Sequence, residues 1–469
     1  MEKTTHIAIV PSPLFSLIVS SLEFSSRLLH LHPNFHITCI IPVLESSPIP
    51  LTPFLQTLPP RIDAIFLPPI PKQDLPKDAK HAVQLQLTIT KSLPHLRHVL
   101  NSLNSKSPLS ALLSDSFSFE VLQFAKELNV LSFVSFPSSA MVLSLLFHMP
   151  KLDQMISGEF PELPEAIRIP GCVPLRGSDV PEPIQRRSNL SYKHFVQRGK
   201  SFHCVDGVLL NSFLELEENT ARELTKEGCD NPPVYLVGPV TQKRSFSDSD
   251  ECLRWLENQP PKSVLYICFG SGGTLSQSQT NELAFGLEES GKRFLWVLRV
   301  PSDSANVACN VPTNEDPLGF LPKGFLERTK ERGLVVPSWA PQIRILRHSS
   351  IGGFLNNCGW NSIIESVQQG VPLIALPLFA EQRTNAVLVS DGLKVALRPK
   401  VNENGVVDRE EVGNVIKSLM EGEEGKEISK RMKGLKDKAA NAVKDDGSST
   451  QSLRDLAFRI KTFTCDAKF

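Results

Sequence analysis

The sequence predicts an α/β protein built from two doubly wound, parallel-sheet domains. Short apolar runs alternate with helical patterns along all 469 residues, which is the order of strands joined by right-handed crossover helices. The runs are nearly continuous rather than alternating, as strands covered on both faces require. The chain is also too long for one ordinary hydrophobic core, so two domains are expected.

The apolar runs predict the strands of the two sheets. Those of the first half are HIAIVP (6–11), FHITCIIP (35–42), IDAIFLPP (62–69), ALLSDSF (111–117), LSFVSFPSS (131–139) and GVLLNSF (207–213). Those of the second half are SVLYICFG (263–270), RFLWVLRV (293–300), GLVVPSW (333–339), IGGFL (351–355), VPLIALPL (371–378) and LKVALRP (393–399). Helical patterns such as LEFSSRLLHL and EVLQFAKEL lie between them. Because ligands of such sheets bind beyond the carboxyl ends of the strands, functional side chains are expected directly after the runs.

A polar stretch divides the chain into its predicted domains. TQKRSFSDSDE (241–251) is interpreted as the linker between an N-terminal domain, 1–240, and a C-terminal domain, 252–450. Residues 451–469 are predicted to form a C-terminal helix that packs back on the N-terminal domain.

Two other segments stand out by composition. The long stretch 301–319 predicts a helix-free surface insertion or binding loop. The Lys/Glu-rich segment from Asp408 to Asp446 predicts solvated surface helices.

Composition and charge exclude several classes of function. The 50 basic and 50 acidic residues cancel, which argues against a nucleic-acid partner. No segment approaches about 18 consecutive apolar residues, so no membrane span is expected, and the first apolar stretch is too short for a signal peptide. The nine cysteines show neither a disulfide framework nor zinc spacing. A reducing, cytoplasmic compartment is therefore predicted.

The segment 339–382 carries the most informative pattern. Trp339 ends a strand, where an indole could stack on a flat ring. After the next strand, small and amide residues open a helix, and their backbone N–H groups suit a phosphate. Glu365 lies one turn into that helix and could accept from a ribose hydroxyl, while Glu381 and Gln382 end another strand and could bind hydroxyls. The set predicts a nucleotide-sugar pocket; the alternative is helix caps and turns without a ligand.

The same segment resembles the signature of plant secondary-product glycosyltransferases. That signature begins WAPQ and ends in a Glu/Asp-Gln pair, and its 44-residue length matches 339–382. The stretches PSP (11–13), FPSSAMVLSLLFHMPKLD (136–153) and VLYICFGSGGTLS (264–276) resemble the group of hydroquinone and monolignol glucosyltransferases. The resemblance covers essentially the whole chain. It implies a GT-B fold of two facing Rossmann-like domains, a UDP-sugar donor, a small-molecule acceptor, no metal or other cofactor, and a monomer.

The resemblance implies a role for each matching residue of the donor site. Trp339 would stack on uracil, Ala340 and Gln342 would hold the base and ribose, and Glu365 would take the ribose hydroxyls. The residues implied on the diphosphate side are Asn357, Gly359, Asn361, Ser362 and Ser271, and Trp360 is implied as a further residue of the donor site. Glu381 and Gln382 would take sugar hydroxyls, and a terminal Gln is associated with glucose as the donor sugar.

One departure from the family concerns the donor side. Where the family usually reads FLTHCGWNS, this chain reads FLNNCGWNS, so Asn357 stands in place of a histidine that donates to the diphosphate. An amide still donates but carries no charge, and neutral hydrogen bonds are weaker than charge-assisted ones. Weaker leaving-group stabilisation is expected, rather than lost donor binding.

A second departure concerns the acceptor side. The group usually reads PSPGMGHL or PSPGFSHL where this chain reads PSPLFSLI, which places Leu17 at the position of the catalytic histidine. Asp115 in LLSDSF matches the aspartate that orients this histidine, and is the predicted catalytic residue; alternatively, it caps the next helix. His6 and His348 lie in other parts of the sequence. His148 is either a substitute base or an ordinary half-buried histidine.

These observations predict an inverting transfer of a sugar, glucose by preference, from a UDP-sugar to a phenolic or other plant secondary metabolite. A positioned general base is typically worth about 10²–10⁴-fold, so acceptors already ionised near neutrality should lose least. The acceptor pocket is expected near Phe15, Phe119 and residues 136–150. An alternative of another class is a catalytically impaired UDP-sugar-binding protein with a sensing or partner role. A dinucleotide oxidoreductase is disfavoured because no G-x-G-x-x-G follows the first strand.

Overall fold

The computed structural model describes residues 4–45, 52–76, 81–226, 228, 230–242, 250–303 and 315–466. The chain divides into two compact units. The first comprises Met1–Pro150, Gln197–Arg244 and Ala442–Phe469, and the second comprises Lys151–Val196 and Ser245–Asn441. Each unit is built on one parallel β-sheet, which confirms the predicted fold class.

The first unit holds a seven-stranded sheet of order β3-β2-β1-β4-β5-β6-β7, and the second a six-stranded sheet of order β10-β9-β8-β11-β12-β13. The strands of the first sheet are β1 (Thr5–Val10), β2 (Phe35–Ile41), β3 (Ile62–Phe66), β4 (Leu109–Asp115), β5 (Leu131–Phe136), β6 (Gly207–Leu210) and β7 (Val234–Leu236). Those of the second sheet are β8 (Val264–Cys268), β9 (Arg293–Leu298), β10 (Gly333–Pro337), β11 (Ile351–Asn356), β12 (Leu373–Ala375) and β13 (Ala396–Leu397).

Helices connect and cover these strands. The α-helices are α1 (Phe15–Leu31), α2 (Thr52–Leu55), α3 (His81–Lys106), α4 (Gln123–Leu128), α5 (Ala140–Met155), α6 (Leu190–Phe202), α7 (Glu218–Leu224), α8 (Asp250–Glu257), α9 (Gln277–Ser290), α10 (Phe325–Thr329), α11 (Gln342–Arg347), α12 (Trp360–Gln369), α13 (Gln382–Val387), α14 (Arg409–Glu421), α15 (Glu423–Ala442) and α16 (Ser448–Asp466). Among the residues that the structure describes, no helix is both long and apolar enough to cross a membrane.

Burial explains why the apolar runs become strands. Every residue of β1 and β4 is buried, as expected where helices cover both faces of a parallel sheet. Each of the predicted runs contains a strand, but β7 was missed. The apolar stretch PVYLVGPV (233–240) that holds β7 stands directly before the predicted linker, so a signal for this strand was present in the sequence.

The core of the second unit lies between one face of its sheet and helices α9 and α14. Leu265, Trp296 and Leu355 of the strands form one cluster with buried residues of these helices. Gly286 lets α9 and α14 approach, because a Cβ at this position would lie 2.5 Å from Val412 Cγ1. This packing holds the carboxyl ends of the second sheet in place.

Both sheets reverse their strand order at an equivalent point. The first sheet runs outward from β1 in one direction and from β4 in the other, and the second does the same from β8 and β11. In doubly wound sheets, the loops that leave this switch point frame the ligand crevice. The relevant turns therefore follow β1 and β4 in the first unit, and β8 and β11 in the second.

Several predicted segments differ from the structure or lie partly outside it. The stretch 301–319 was expected to be helix-free, but Pro317–Phe320 forms a 3-10 helix whose Leu318 packs on the second core; residues 304–314 lie outside the described residues. Of the predicted linker, residues 243–249 lie outside the described residues, and α8 begins at Asp250. The charged segment from Asp408 forms α14 and α15, as predicted.

The two compact units do not follow the linear order of the predicted domains. Residues Lys151–Val196 group with the second unit, although they precede the predicted linker. Helix α16 groups with the first unit, where it packs against β1, β4, β7 and α1. The first unit is therefore closed by the C-terminal end of the chain.

Candidate functional site

Two amide side chains hold the turn between β11 and α12: Asn356 at the end of β11 and Asn385 in α13. Asn356 Oδ1 accepts from the Cys358 amide at 2.6 Å, and Asn385 Nδ2 donates to the Cys358 carbonyl at 3.1 Å. Cys358 takes a left-handed backbone with φ of 61°. Gly359 caps this ten-residue helix without a side-chain bond, and the first-turn amides of a helix have no partner within the helix. Such a helix start attracts an anion.

Three predicted site residues are in contact here, two of them in α12 itself. Gln342, the first residue of α11, donates from Nε2 to Ser362 Oγ at 3.0 Å and to Glu365 Oε2 at 2.7 Å. Burial raises the pKa of Glu365 to about 7, against the hydrogen bond from Gln342, which favours the ionised form. Glu365 thus changes charge near neutral pH, and its carboxylate form can accept hydroxyl donors.

The turn after β10 presents an aromatic surface. Ser338 has a φ of 65°, and the following Trp339 leaves 46% of its surface exposed. Ala340 beside it is buried. An exposed indole held at the carboxyl end of a strand provides a flat stacking surface.

The glycine-rich loop after β8, residues 269–273, accepts hydrogen bonds from Arg299 and Asn357 through its backbone carbonyls. Arg299 Nη1 donates to the Ser271 carbonyl at 2.5 Å and Arg299 Nε to the Ser338 carbonyl at 3.4 Å, so one guanidinium joins the loops after β8 and β10. Asn357 Nδ2 donates to the Phe269 carbonyl at 2.8 Å. Arg299 was missed by sequence reasoning, although a cation directly after the apolar run RFLWVL was a readable signal.

Gln382 and Glu381 stand at the start of α13. Gln382 is buried, and its Oε1 accepts from the amides of Leu378 and Phe379 at 2.9 and 3.0 Å. Its side-chain oxygen is therefore committed to the backbone, which leaves the Nε2 hydrogens for a ligand. Glu381 is the N-cap residue of α13 and is half-buried.

In the first unit, Asp115 ends β4 and is almost fully enclosed. Its carboxylate accepts four hydrogen bonds: from the amide and hydroxyl of Ser12 at 2.5 and 2.7 Å, and from the amides of Phe117 and Ser118 at 2.8 and 3.1 Å. Burial raises the pKa of Asp115, whereas these bonds lower it. The carboxylate thus builds the β1–α1 loop and caps its own turn.

The position that the resemblance matches to a catalytic histidine is occupied by a leucine, which does not titrate. Leu17 lies in the first turn of α1 and is buried. The other histidines considered have partners of their own. His148 Nδ1 bonds the Ser144 carbonyl at 2.8 Å, His6 Nε2 bonds Thr38 Oγ1 at 2.9 Å, and His348 Nδ1 bonds Ser350 Oγ at 2.8 Å. His148 is therefore a helix residue bonded to its own preceding turn.

A second cation was also missed by sequence reasoning. Arg198 of α6 is half-buried, and its Cζ lies 5.8 Å from the centre of the exposed Phe117 ring. Burial lowers the pKa of Arg198, while the charges of Asp115 and Glu120 raise it. No ion pair joins Arg198 to another residue in the described ranges. No sequence signal marked it, because its neighbours in α6 are polar and charged as well.

Comparison with known proteins places this geometry in a family. The family model for UDP-glucoronosyl and UDP-glucosyl transferases matches residues 233–439. The chain is 48% identical to the hydroquinone glucosyltransferase of Rauvolfia serpentina, with 97% of this chain and 98% of that protein covered. It is 46% identical to UDP-glycosyltransferase 72B1 of Arabidopsis thaliana, with 98% and 97% covered.

Solved structures agree with this placement. Phytolacca americana UGT2 complexed with UDP-2fluoro-glucose and pterostilbene matches with a TM-score of 0.88 and 41% identity, over 98% of this chain and 100% of that one. A UDP-glucosyltransferase from Polygonum tinctorium matches with a TM-score of 0.89 and 44% identity, over 98% and 99%. The chain belongs to the plant UDP-dependent glycosyltransferases.

Proposed function

We propose that this protein transfers glucose from UDP-glucose to a small phenolic or acidic acceptor, with inversion at the anomeric carbon. The observation that carries the proposal is the contact of Gln342 with Ser362 and Glu365, two residues of the first half of α12. The relatives support the substrate class, since one is named for hydroquinone and a similar structure holds a UDP-sugar analogue with pterostilbene.

The donor would be held by groups of the second unit. The first-turn amides of α12 face the diphosphate, Trp339 stacks on uracil, and the Glu365 carboxylate accepts from the ribose. Gln382 then meets the sugar through Nε2, because its oxygen is already bonded to the backbone. We propose that transfer needs no metal ion, and a chelator is expected to leave the rate unchanged.

The acceptor chemistry follows from Leu17. The acceptor oxygen attacks the anomeric carbon while the bond from that carbon to the β-phosphate oxygen breaks and UDP leaves. A neutral phenol must also lose its proton, and Leu17 offers no imidazole to take it. Asp115 is a poor substitute, because four hydrogen bonds already occupy its carboxylate. Acceptors that are ionised before they bind avoid this step, and the positive charge of Arg198 favours them.

An acceptor panel tests the proposal. The purified protein is incubated with UDP-glucose and hydroquinone, 4-nitrophenol or benzoic acid, and the glycosides are measured by mass spectrometry. The ionised acceptors are expected to react faster than hydroquinone. If UDP binds but none of the acceptors is glycosylated, the transferase proposal is wrong and a binding function remains.

A variant pair tests the donor site. Trp339→Ala removes an exposed side chain, so the fold should persist while UDP affinity falls about tenfold through lost stacking. Trp255→Ala, in α8 of the same unit, is the matched control and should leave UDP affinity unchanged. Equal UDP affinities of the two variants would contradict the stacking role.

A further inference from the structure

Asn357 joins the two turns that leave the switch point of the second sheet. Its Nδ2 donates to the Phe269 carbonyl after β8 at 2.8 Å, and its Oδ1 accepts from the Gly359 amide at 3.2 Å. The side chain is only 4% exposed. Both ends of the amide are therefore used within the protein, across 88 residues of sequence on one side.

The glycine-rich loop is shaped around this side chain. A Cβ at Gly273 would lie 3.1 Å from Asn357 Nδ2 and 2.4 Å from the Phe269 carbonyl oxygen. Gly270 lies against the same amide and has a φ of 71°, a conformation that favours glycine. The absence of side chains at these two positions lets the loop close on Asn357.

The first unit uses an equivalent device. Asp115, after β4, binds the Ser12 amide and hydroxyl after β1, across 103 residues of sequence. Strands β1 and β4 hold the same positions in the first sheet as β8 and β11 in the second. In each unit, one buried side chain after the second of these strands ties down the loop after the first.

We propose that Asn357 is a positioning residue for the donor site, a latch that holds the glycine-rich loop against the start of α12. The inference rests on the proposed binding of UDP-glucose. A loop that is already ordered costs less free energy to fix when the nucleotide binds. In this assignment Asn357 acts on the diphosphate through the Phe269–Gly273 loop and the Gly359 turn, not as its principal donor.

Two variants break the contact between Asn357 and the glycine-rich loop, one at Asn357 and one in the loop. Asn357→Ala removes both hydrogen bonds, and Gly273→Ala forces the loop away from an intact Asn357. Each is expected to weaken UDP binding about 3- to 10-fold, the effect of losing one or two hydrogen bonds. Each should also lower the unfolding midpoint of the ligand-free protein by about 2–4 °C. The double variant should lose no more than the larger single effect, because both changes break one contact.

A matched control comes from the first unit. Asn211 Nδ2 donates to the Val240 carbonyl at 2.8 Å, and its Oδ1 accepts from the Val240 amide at 2.7 Å. Asn211→Ala should lower the unfolding midpoint by a similar amount and leave UDP affinity and the KM for UDP-glucose unchanged. The latch variants should raise that KM and leave kcat nearly unchanged.

Calorimetric titration of UDP and thermal unfolding separate the outcomes. Weaker UDP binding with an unchanged midpoint would make Asn357 a direct ligand of the diphosphate and overturn the latch. A lower midpoint with unchanged UDP binding would make it a structural residue only, which also overturns it. If Asn357→Ala does not fold, Gly273→Ala decides between the same outcomes. Failure of the proposed function appears differently, as an unmodified protein that does not bind UDP.

Discussion

The Asp115 turn and the Asn357 turn occupy equivalent places in the two sheets but use opposite chemistry. Asp115 is a carboxylate that only accepts and gathers four donors, whereas Asn357 is an amide that donates to one loop and accepts from another. The first binds its turn with charge, and the second with a neutral group. A polar residue at a switch point is therefore used first to hold the loops in place, and only its remaining lone pairs or hydrogens are available to a substrate.

The largest change in reaction rate is expected from a substitution of Leu17. If the proposed acceptor side of the first unit lacks only a general base, Leu17→His should raise the rate with hydroquinone by about 100-fold, within the usual range for a positioned base. The rate with benzoic acid should change little, because its carboxylate carries no proton to remove. Initial rates from mass spectrometry measure both.

The neighbouring position supplies the control for this variant. Leu14→His places an imidazole at the half-buried N-cap of α1, outside the matched position, and should not raise either rate. An unchanged hydroquinone rate in Leu17→His would show that something other than a missing base at position 17 limits the rate.

Asp115→Asn gives the turn after β4 an amide side chain, as Asn357 gives the turn after β11. The new amide group would point N–H toward the Ser12 amide or hydroxyl, and hydrogen bonds to charged groups are worth about 1.5–3 kcal/mol. We expect the free energy of unfolding, measured in urea, to fall by about 3 kcal/mol.

A second aspartate of the first unit provides a matched control for Asp115→Asn. Asp206 accepts from the amide and hydroxyl of Ser132 at 2.9 and 2.8 Å, but it is half-exposed. Because water replaces part of its bonding, Asp206→Asn should cost less than half as much. Equal losses in the two variants would show that burial of Asp115 adds nothing to the strength of its turn.

Glu365 lies in α12, the helix that follows the Asn357 turn, and is a titrating group close to that neutral amide. Its pKa is raised to about 7 by burial, so the carboxylate that we propose as the acceptor of the ribose hydroxyls forms as the pH rises through 7. UDP affinity, measured by calorimetry, should therefore increase by roughly tenfold between pH 6 and pH 8, because the ionised fraction of a group with a pKa of about 7 rises by that factor over this range.

Glu365→Gln removes this titration and should abolish the part of the pH dependence that belongs to the protein. The remaining dependence reports the titration of UDP itself. The same slope in both proteins would contradict the assignment of Glu365 to the ribose.

Arg198 is expected to have the smallest effect, because Asp115 and Glu120 already offset part of its charge. Arg198→Met keeps the apolar stem beside Phe117 and removes the charge. The rate with benzoic acid should fall about threefold relative to 4-methoxyphenol, as expected for a partly screened charge. Arg222→Met, on the exposed α7, is the control. A larger loss with the neutral phenol would show that Arg198 does not select anionic acceptors.

The strands and the family were predictable because they depend on local signals. Continuous apolar runs predicted every strand of the described residues except β7, and the segment from Trp339 to Gln382 carried the resemblance to a family that the relatives confirm. Arg299 and Arg198 were missed because their importance lies in contacts with Ser271, Ser338 and Phe117, which are distant in sequence.

The amino-acid sequence was enough to predict the two parallel sheets and the motif that follows their strands, and it was enough to match Leu17 and Asn357 to two histidine positions of the family it resembles. The contacts of the polar side chains, in contrast, were visible only in the folded chain. Asp115 meets Ser12 across 103 residues, and Asn357 meets Phe269 across 88. The reason is that adjacent parallel strands bring together loops that are remote in the chain, and the donors and acceptors of those loops then determine which atoms remain for a ligand.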